Sequence, residues 1–234
     1  MAEQYPVFIP VRDRLGPLRD LVAWLESVGQ QEIWLVDNDS TYGPLVEYLD
    51  ASPHHVLRLG HNVGQRSPFL SGAVQRHAFE RHFVITDPDV VPDAACPSDA
   101  LDHFRELLNR YPHIDKVGFG LRIDDLPDHY PLKQSVIEWE GEFWSPELEI
   151  ERGVFEAPID TTFALYRPLT DRRHRMDLAL RTGLPYVARH VPWYQDPANL
   201  TEDDIYYRDH ADATISNWDR DQLPWWKQRK LGEG

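Results

Sequence analysis

His82-Phe83-Val84-Ile85-Thr86 runs straight into Asp87-Pro88-Asp89, an apolar stretch that ends in two carboxylates two residues apart. A second stretch, Ile33-Trp34-Leu35-Val36, ends in Asp37-Asn38-Asp39-Ser40-Thr41. Short apolar runs bounded by turn residues predict buried strands, and α/β sheets gather ligands at the carboxyl ends of their parallel strands. In extended chain, residues i and i+2 point to the same side, so each pair can aim two hard oxygen ligands at one point. Such ligands suit Mg²⁺ or Mn²⁺ carrying a phosphate, because these ions take a few protein oxygens and fill the remainder with water and substrate. Ordinary turn chemistry accounts for Asp, Asn and Ser at a strand end equally well. The proline in Asp87-Pro88-Asp89 stiffens its segment, and the strand before it is very apolar, so this pair is the stronger metal candidate.

Composition narrows the field. At 234 residues the chain can bury one sizeable core, and 41% hydrophobic residues with eight Trp describe a folded protein. No run is long enough to span a bilayer, and the N-terminus enters a strand pattern at once, leaving no room for a secretory leader. Cys96 is the single cysteine, so an intrachain disulfide is impossible and a reducing, cytoplasmic compartment is expected. A formal net charge of −15 opposes broad attraction to nucleic acid or anionic lipid. A compact anionic substrate would then need a metal or a local Arg cluster. The C-terminal Trp225-Trp226-Lys227-Gln228-Arg229-Lys230 is the one stretch suited to peripheral membrane contact.

Elements alternate along the first half. Strands are expected at Tyr5 to Val11, Ile33 to Val36, His55 to Leu59, Phe83 to Thr86 and Lys116 to Leu121. Helices are expected at Gly16 to Val28, Pro44 to Leu49, Ser71 to Arg81 and Asp99 to Tyr111, the first and last with apolar residues at helical spacing. This order implies an α/β fold with a mostly parallel central sheet flanked by helices. Beyond Asp124 the chain is dense in acids and aromatics; Val136, Trp139, Glu140 and Phe143 fall at helical spacing, and Phe163 to Tyr166 reads as a returning strand. The simplest organisation is a single Rossmann-like domain over 1–234, in which 124–234 form the far wall of a cleft and the C-terminal tail.

Four segments, each closing a strand, resemble the nucleotide-sugar glycosyltransferases of the GT-A fold, family 2 type. They are Phe8-Ile9-Pro10-Val11-Arg12, Val36-Asp37-Asn38-Asp39-Ser40-Thr41, Asn62-Val63-Gly64, and Asp87-Pro88-Asp89 in the place of that family's Asp-x-Asp motif. The resemblance covers roughly residues 5 to 125 and implies that 1–123 bind a nucleotide sugar. It implies further that Asp37, with Asp39 nearby, binds the nucleotide base. Pro10, Arg12, Asn62, Gly64 and Arg66 would line the nucleotide pocket. Gly64 would permit close backbone approach, and Arg66 offers a forked donor to phosphate. Asp87 and Asp89 would hold Mn²⁺ or Mg²⁺ on the diphosphate, Asp87 also lying near the ribose.

The later half fits that pattern less closely. No Glu-Asp pair stands at the expected late helix start, and Glu202-Asp203-Asp204 lies too near the C-terminus. His190, in Ala188-Arg189-His190-Val191-Pro192-Trp193-Tyr194, is the candidate for a third metal ligand, since neutral imidazole serves Mn²⁺. Asp160, in Pro158-Ile159-Asp160-Thr161-Thr162, is the candidate general base toward a hydroxyl acceptor, or else a ligand for a sugar hydroxyl. Glu138, Glu140 and Glu142 compete less well as solvated helix acids, and Trp139 and Trp144 offer flat faces to a sugar. The resemblance thus implies a metal-dependent transfer of sugar from a nucleoside diphosphate, UDP by analogy, to a carbohydrate or other hydroxyl acceptor. Two alternatives stay open: a phosphatase of haloacid dehalogenase type, which also uses Asp-x-Asp after an apolar strand, and an inactive binding module of the same fold.

Overall fold

Val7-Phe8-Ile9-Pro10-Val11 is apolar throughout, and in the computed structural model it forms β1 (Val7–Val11), buried at every position. The structure describes residues 3–170, 175 and 177–211. The chain continues through α1 (Gly16–Ser27), β2 (Ile33–Asp37), α2 (Gly43–Ala51), β3 (His55–Arg58), α3 (Ser67–Leu70), α4 (Ala73–His77), β4 (Phe83–Ile85) and β5 (Val90–Pro92). Then follow α5 (Ala100–Arg110), β6 (Lys116–Leu121), α6 (Lys133–Gly141), β7 (Glu149–Glu151), β8 (Val154–Glu156), β9 (Ala164–Tyr166), β10 (Ala179–His190) and α7 (Glu202–His210).

All the strands join one sheet in the order β3-β2-β1-β4-β9-β6-β10-β8-β7, with β5 pairing β10. β1, β2, β3 and β4 are mutually parallel, and β10 is parallel to β6. β9 runs antiparallel between β4 and β6, which brings β6 back to the direction of β4. The α/β, mostly parallel sheet expected from the element order is therefore present. Strand alternation divides its packing between two faces. Val7, Ile9 and Val11 pack with Leu18, Leu21 and Leu25 of α1 and with Phe104 and Leu107 of α5. Phe8 packs on the other face with Ala73 and Val74 of α4 and with Phe83 and Tyr166. A strand buried on both sides must be apolar at every position, which is why β1 shows no polar alternation.

Three elements differ from the sequence expectation. The helix expected over Ser71 to Arg81 is reduced to α4 (Ala73–His77), preceded by Gly72 in the left-handed region at φ +74° and, before the expected span, by the short α3. The acid-rich stretch after α6 contains the hairpin β7–β8, turning at Gly153 with φ +73°. β5, which follows Pro88 and ends in Pro92, pairs antiparallel with the end of β10, setting Val90 opposite His190. At the centre, Gly118 of β6 lets β9 approach closely: a Cβ there would sit 2.1 Å from the Phe163 carbonyl oxygen. Among the described residues, no helix is long and apolar enough to cross a membrane. The tail from Trp225 to Lys230 lies outside the described residues.

Candidate active site

The chain winds outward from β1 to β2 and β3, then returns to lay β4 on β1's other side. The strand order therefore reverses between β1 and β4, and open α/β sheets bind ligands in the crevice beyond the carboxyl ends of strands at such a switch point. A cleft of about 700 Å³ opens there. Pro10, Val11, Arg12 and Arg14 line it from the end of β1, and Asp87, Pro88 and Asp89 from the end of β4. Asn38, Asn62, Gly64 and Gln65 come from the loops after β2 and β3. Trp139, Glu140, Phe143, Asp160, Thr161, Arg181 and His190, together with Trp193 and Tyr207, line the rest of the cleft.

Of the residues singled out in the sequence, Pro10, Arg12, Asn62, Gly64, Asp87, Asp89, Asp160 and His190 meet at this cleft, whereas Asp37, Asp39 and Arg66 are not among its lining. The Asp37 carboxylate accepts the Ser40 N–H at 3.0 Å and pairs with Arg58 at 3.3 Å. Asp39 adopts φ +65°, leaving the extended geometry that would have put it on the same side as Asp37. Between them Asn38 is buried: its side chain donates to Ser67 Oγ at 3.0 Å and accepts from Val63 N–H at 3.2 Å. It thereby fastens the loop carrying Asn62 and Gly64 to the end of β2. Arg12 donates to the Asn38 carbonyl at 3.0 Å, tying the β1 end to the same point. Arg66 is exposed, but its charge acts on Lys116 and Tyr166 beside the acidic cluster.

Asp87 carries the most perturbed carboxyl of the site. Burial, the charge of Asp89 and the charge of Asp160 push it up to about 7, against the hydrogen bond it accepts from Thr161 Oγ1 at 2.7 Å. Asp89 is held from two sides. Its carbonyl accepts the Val191 N–H at 2.9 Å, and its carboxylate pairs with Arg14 at 3.1 Å. The antiparallel pairing of β5 with β10 brings His190 Nε2 to 3.8 Å from Asp89 Oδ1, its ring against Trp193 at 4.8 Å between centroids.

Asp160 is exposed, on the segment that leads into β9. Its backbone is anchored from below, because the Lys116 ammonium donates to the Ile159 carbonyl and, at 3.4 Å, to the Asp160 carbonyl. Burial pushes the Lys116 ammonium down to about 8, opposed by the charges of Asp160 and Asp115. Thr161 next in sequence donates to Asp87, so one short segment links the two acids. Glu140 is only 3% exposed and forms an ion pair with Arg181, which also donates to the Pro158 carbonyl at 2.9 Å and stacks on Phe143 at 4.0 Å. This wall of the cleft is thus charged, paired and backed by an aromatic ring.

A divalent cation suits these donors in one particular way. Among the described residues, no three His, Cys, Asp or Glu side chains stand as a ready metal cage. Burial first, and then the charges of Asp89 and Asp160, oppose ionisation of Asp87, and a cation bound between the two carboxylates would offset that opposition. That is the donor set of an ion that brings its own water and substrate phosphate.

No family model matches the sequence, and no curated protein matches it. Among solved structures the chain is similar to a mannosyltransferase from Pyrobaculum calidifontis in complex with GDP-Man and Mn²⁺, at 18% identity and TM-score 0.44, over 69% of this chain and 43% of that one. It is also similar to glucosyl-3-phosphoglycerate synthase from Mycobacterium tuberculosis in complex with Mn²⁺, UDP-Glc and phosphoglyceric acid, at 14% identity and TM-score 0.43, over 69% and 55%. A structure described only as a mycobacterial protein matches at 13% identity and TM-score 0.42, over 79% and 66%. The chain thus spans 43% to 66% of the length of these structures. At such identity and overlap they assign neither substrate nor metal to it.

Proposed function

We propose that this chain is a glycosyltransferase that moves a sugar from a nucleoside diphosphate, UDP being the first candidate, to a hydroxyl acceptor, with Mn²⁺ or Mg²⁺ bound at Asp87 and Asp89. One observation carries the reading. The paired acids close β4 at the switch point of the sheet, in the same cleft as Arg12, Asn62 and Gly64 from the neighbouring strand ends.

In this reading Arg12 and the Asn62–Gly64 loop receive the nucleotide side of the donor, with Asn38 fixing the loop. Gly64 at φ +80° has no atom within 4 Å of where a Cβ would stand, so its backbone is open to a ligand. Asp87 and Asp89 hold the cation, and His190 stands beside Asp89 as a further donor. When bound, the cation stabilises negative charge on the departing nucleoside diphosphate. Asp160 accepts the proton of the acceptor hydroxyl as its oxygen bonds to the anomeric carbon. The bond from that carbon to the diphosphate breaks, and its electron pair leaves with the nucleotide. Lys116, through the Ile159 and Asp160 carbonyls, keeps the base segment in place. The acceptor lies toward Trp139, Phe143 and the Glu140–Arg181 pair, where flat faces and charged hydrogen-bonding groups suit a carbohydrate. A phosphatase would need its nucleophilic acid at the first strand. The acid there, Asp13, is buried and accepts the backbone N–H groups of Thr41 at 2.6 Å and Tyr42 at 2.9 Å.

The test is donor hydrolysis across UDP-, GDP- and dTDP-sugars with Mn²⁺. Metal-dependent release of one nucleoside diphosphate supports the reading. Release of inorganic phosphate from simple phosphate esters, with no turnover of any nucleotide sugar, would replace it with the phosphatase.

A further inference from the structure

Arg14 already stands where a cation is needed. Its guanidinium pairs with Asp89 Oδ2 at 3.1 Å and is only 4% exposed, on a carboxylate 16% exposed. The guanidinium carbon also lies over the Tyr207 ring of α7, 4.0 Å from its centre. Neighbouring contacts fix the backbone that carries it. Asp13, one residue earlier, takes φ +47° and holds the Thr41 and Tyr42 N–H groups. One residue later, Leu15 N–H donates to Asp203 at 2.8 Å, as does Gly16 N–H. Asp203 also belongs to α7, whose Tyr206 hydroxyl donates to Thr41 Oγ1 at 3.0 Å. The anchored loop and the stacked helix thus present the Arg14 guanidinium to Asp89.

We propose that Arg14 is an internal counter-cation that competes with the divalent metal for Asp89 and, once displaced, takes the diphosphate of the donor. This inference rests on the metal-dependent reading above. A divalent cation on Asp89 would stand beside the like charge of the Arg14 guanidinium, which already draws on that carboxylate through Oδ2, so the metal binds Asp89 more strongly as Arg14 gives it up. The displaced guanidinium remains in the cleft beside Arg12, with a planar fork of donors that matches phosphate oxygens. Metal and diphosphate then favour one another: either draws Arg14 away from its resting place for the other. Their coupling is reciprocal by thermodynamic linkage. In the absence of both, Arg14 neutralises part of an acidic cluster that would otherwise repel itself.

The test is Mn²⁺ binding by calorimetry or by the spin resonance of free Mn²⁺, with and without UDP, on the full chain. Without nucleotide, Arg14→Met should bind Mn²⁺ about tenfold more tightly than wild type, the factor by which a resting pair populated roughly ten to one lowers apparent affinity. The gain in Mn²⁺ affinity produced by UDP should shrink by a similar factor. Tyr207→Leu, which loosens the stack while leaving both charges, should shift Mn²⁺ affinity in the same direction by less, and it carries the test if Arg14→Met does not fold. Unchanged or weaker Mn²⁺ binding in folded Arg14→Met or, failing that, in Tyr207→Leu overturns the proposal alone. No Mn²⁺ binding to wild type or variants, with or without UDP, overturns the metal assignment as well.

Discussion

Asp87→Asn should stabilise the metal-free protein, and only above mildly acidic pH. The acid's folded-state pKa is about 7 against an ordinary value of 3.8, raised chiefly by burial and then by Asp89. Between those two values the folded protein keeps a proton that the unfolded chain has released. Stability therefore falls as pH rises through that window, and above about 7 the full cost is present. About three pKa units at 1.36 kcal/mol each give a cost on the order of 4 kcal/mol. An amide of the same shape cannot ionise, and its oxygen can still accept from Thr161. Urea unfolding of wild type and variant, in chelator, at pH 4.5 and at pH 8, isolates Asp87 together with its coupling to Asp89 and Asp160, because titrations elsewhere are common to both proteins. The difference should be small at pH 4.5 and several kcal/mol in the variant's favour at pH 8. Saturating Mn²⁺ at pH 8 should stabilise wild type and not the variant. A difference between the proteins that does not change with pH would refute the reasoning.

Three further outcomes follow from the geometry. Asp160→Asn should lower the rate of sugar transfer by on the order of 10²–10⁴ while leaving Mn²⁺ and nucleotide affinity near wild type, as measured by single-turnover kinetics beside calorimetry. Glu140→Ala should cost about 3–5 kcal/mol in denaturant unfolding, because it leaves the Arg181 guanidinium buried without its carboxylate. Gly118→Ala should lower the melting temperature and cost at least about 1–3 kcal/mol, since its methyl group meets backbone of Phe163 and Ala164, at the start of β9, that cannot swing aside.

The parts legible in the sequence are those that depend on local pattern. β1, β2, β4 and β6 are apolar because the sheet buries both faces, and α1 and α5 show their buried stripes at helical spacing. The position of Asp87 and Asp89 followed from the end of an apolar strand. What was not legible depends on contacts between distant residues. Arg14 meets Asp89 across 75 positions of sequence, and Glu140 meets Arg181 across 41. Asp203, in a cluster the sequence set aside as too near the C-terminus, binds the Leu15 and Gly16 N–H groups at the start of α1 from 188 and 187 positions away. A carboxylate at that helix start is favourable electrostatically, but no local signal links the two. Asn38 was hidden by its neighbours: two acids draw attention to positions 37 and 39, while the buried amide between them joins the loops. The one available signal was Asp39 itself, since Asp readily adopts the left-handed backbone that breaks strand alternation.

The account is tested most directly by calorimetric titration of UDP, GDP and dTDP into wild type and Asp89→Asn, each with Mn²⁺ and with chelator. It predicts that at least one nucleoside diphosphate binds wild type, that binding weakens markedly in chelator, and that Asp89→Asn binds with or without metal about as poorly as wild type in chelator. Binding that is indifferent both to Mn²⁺ and to Asp89, or no binding of any of the three, would contradict it.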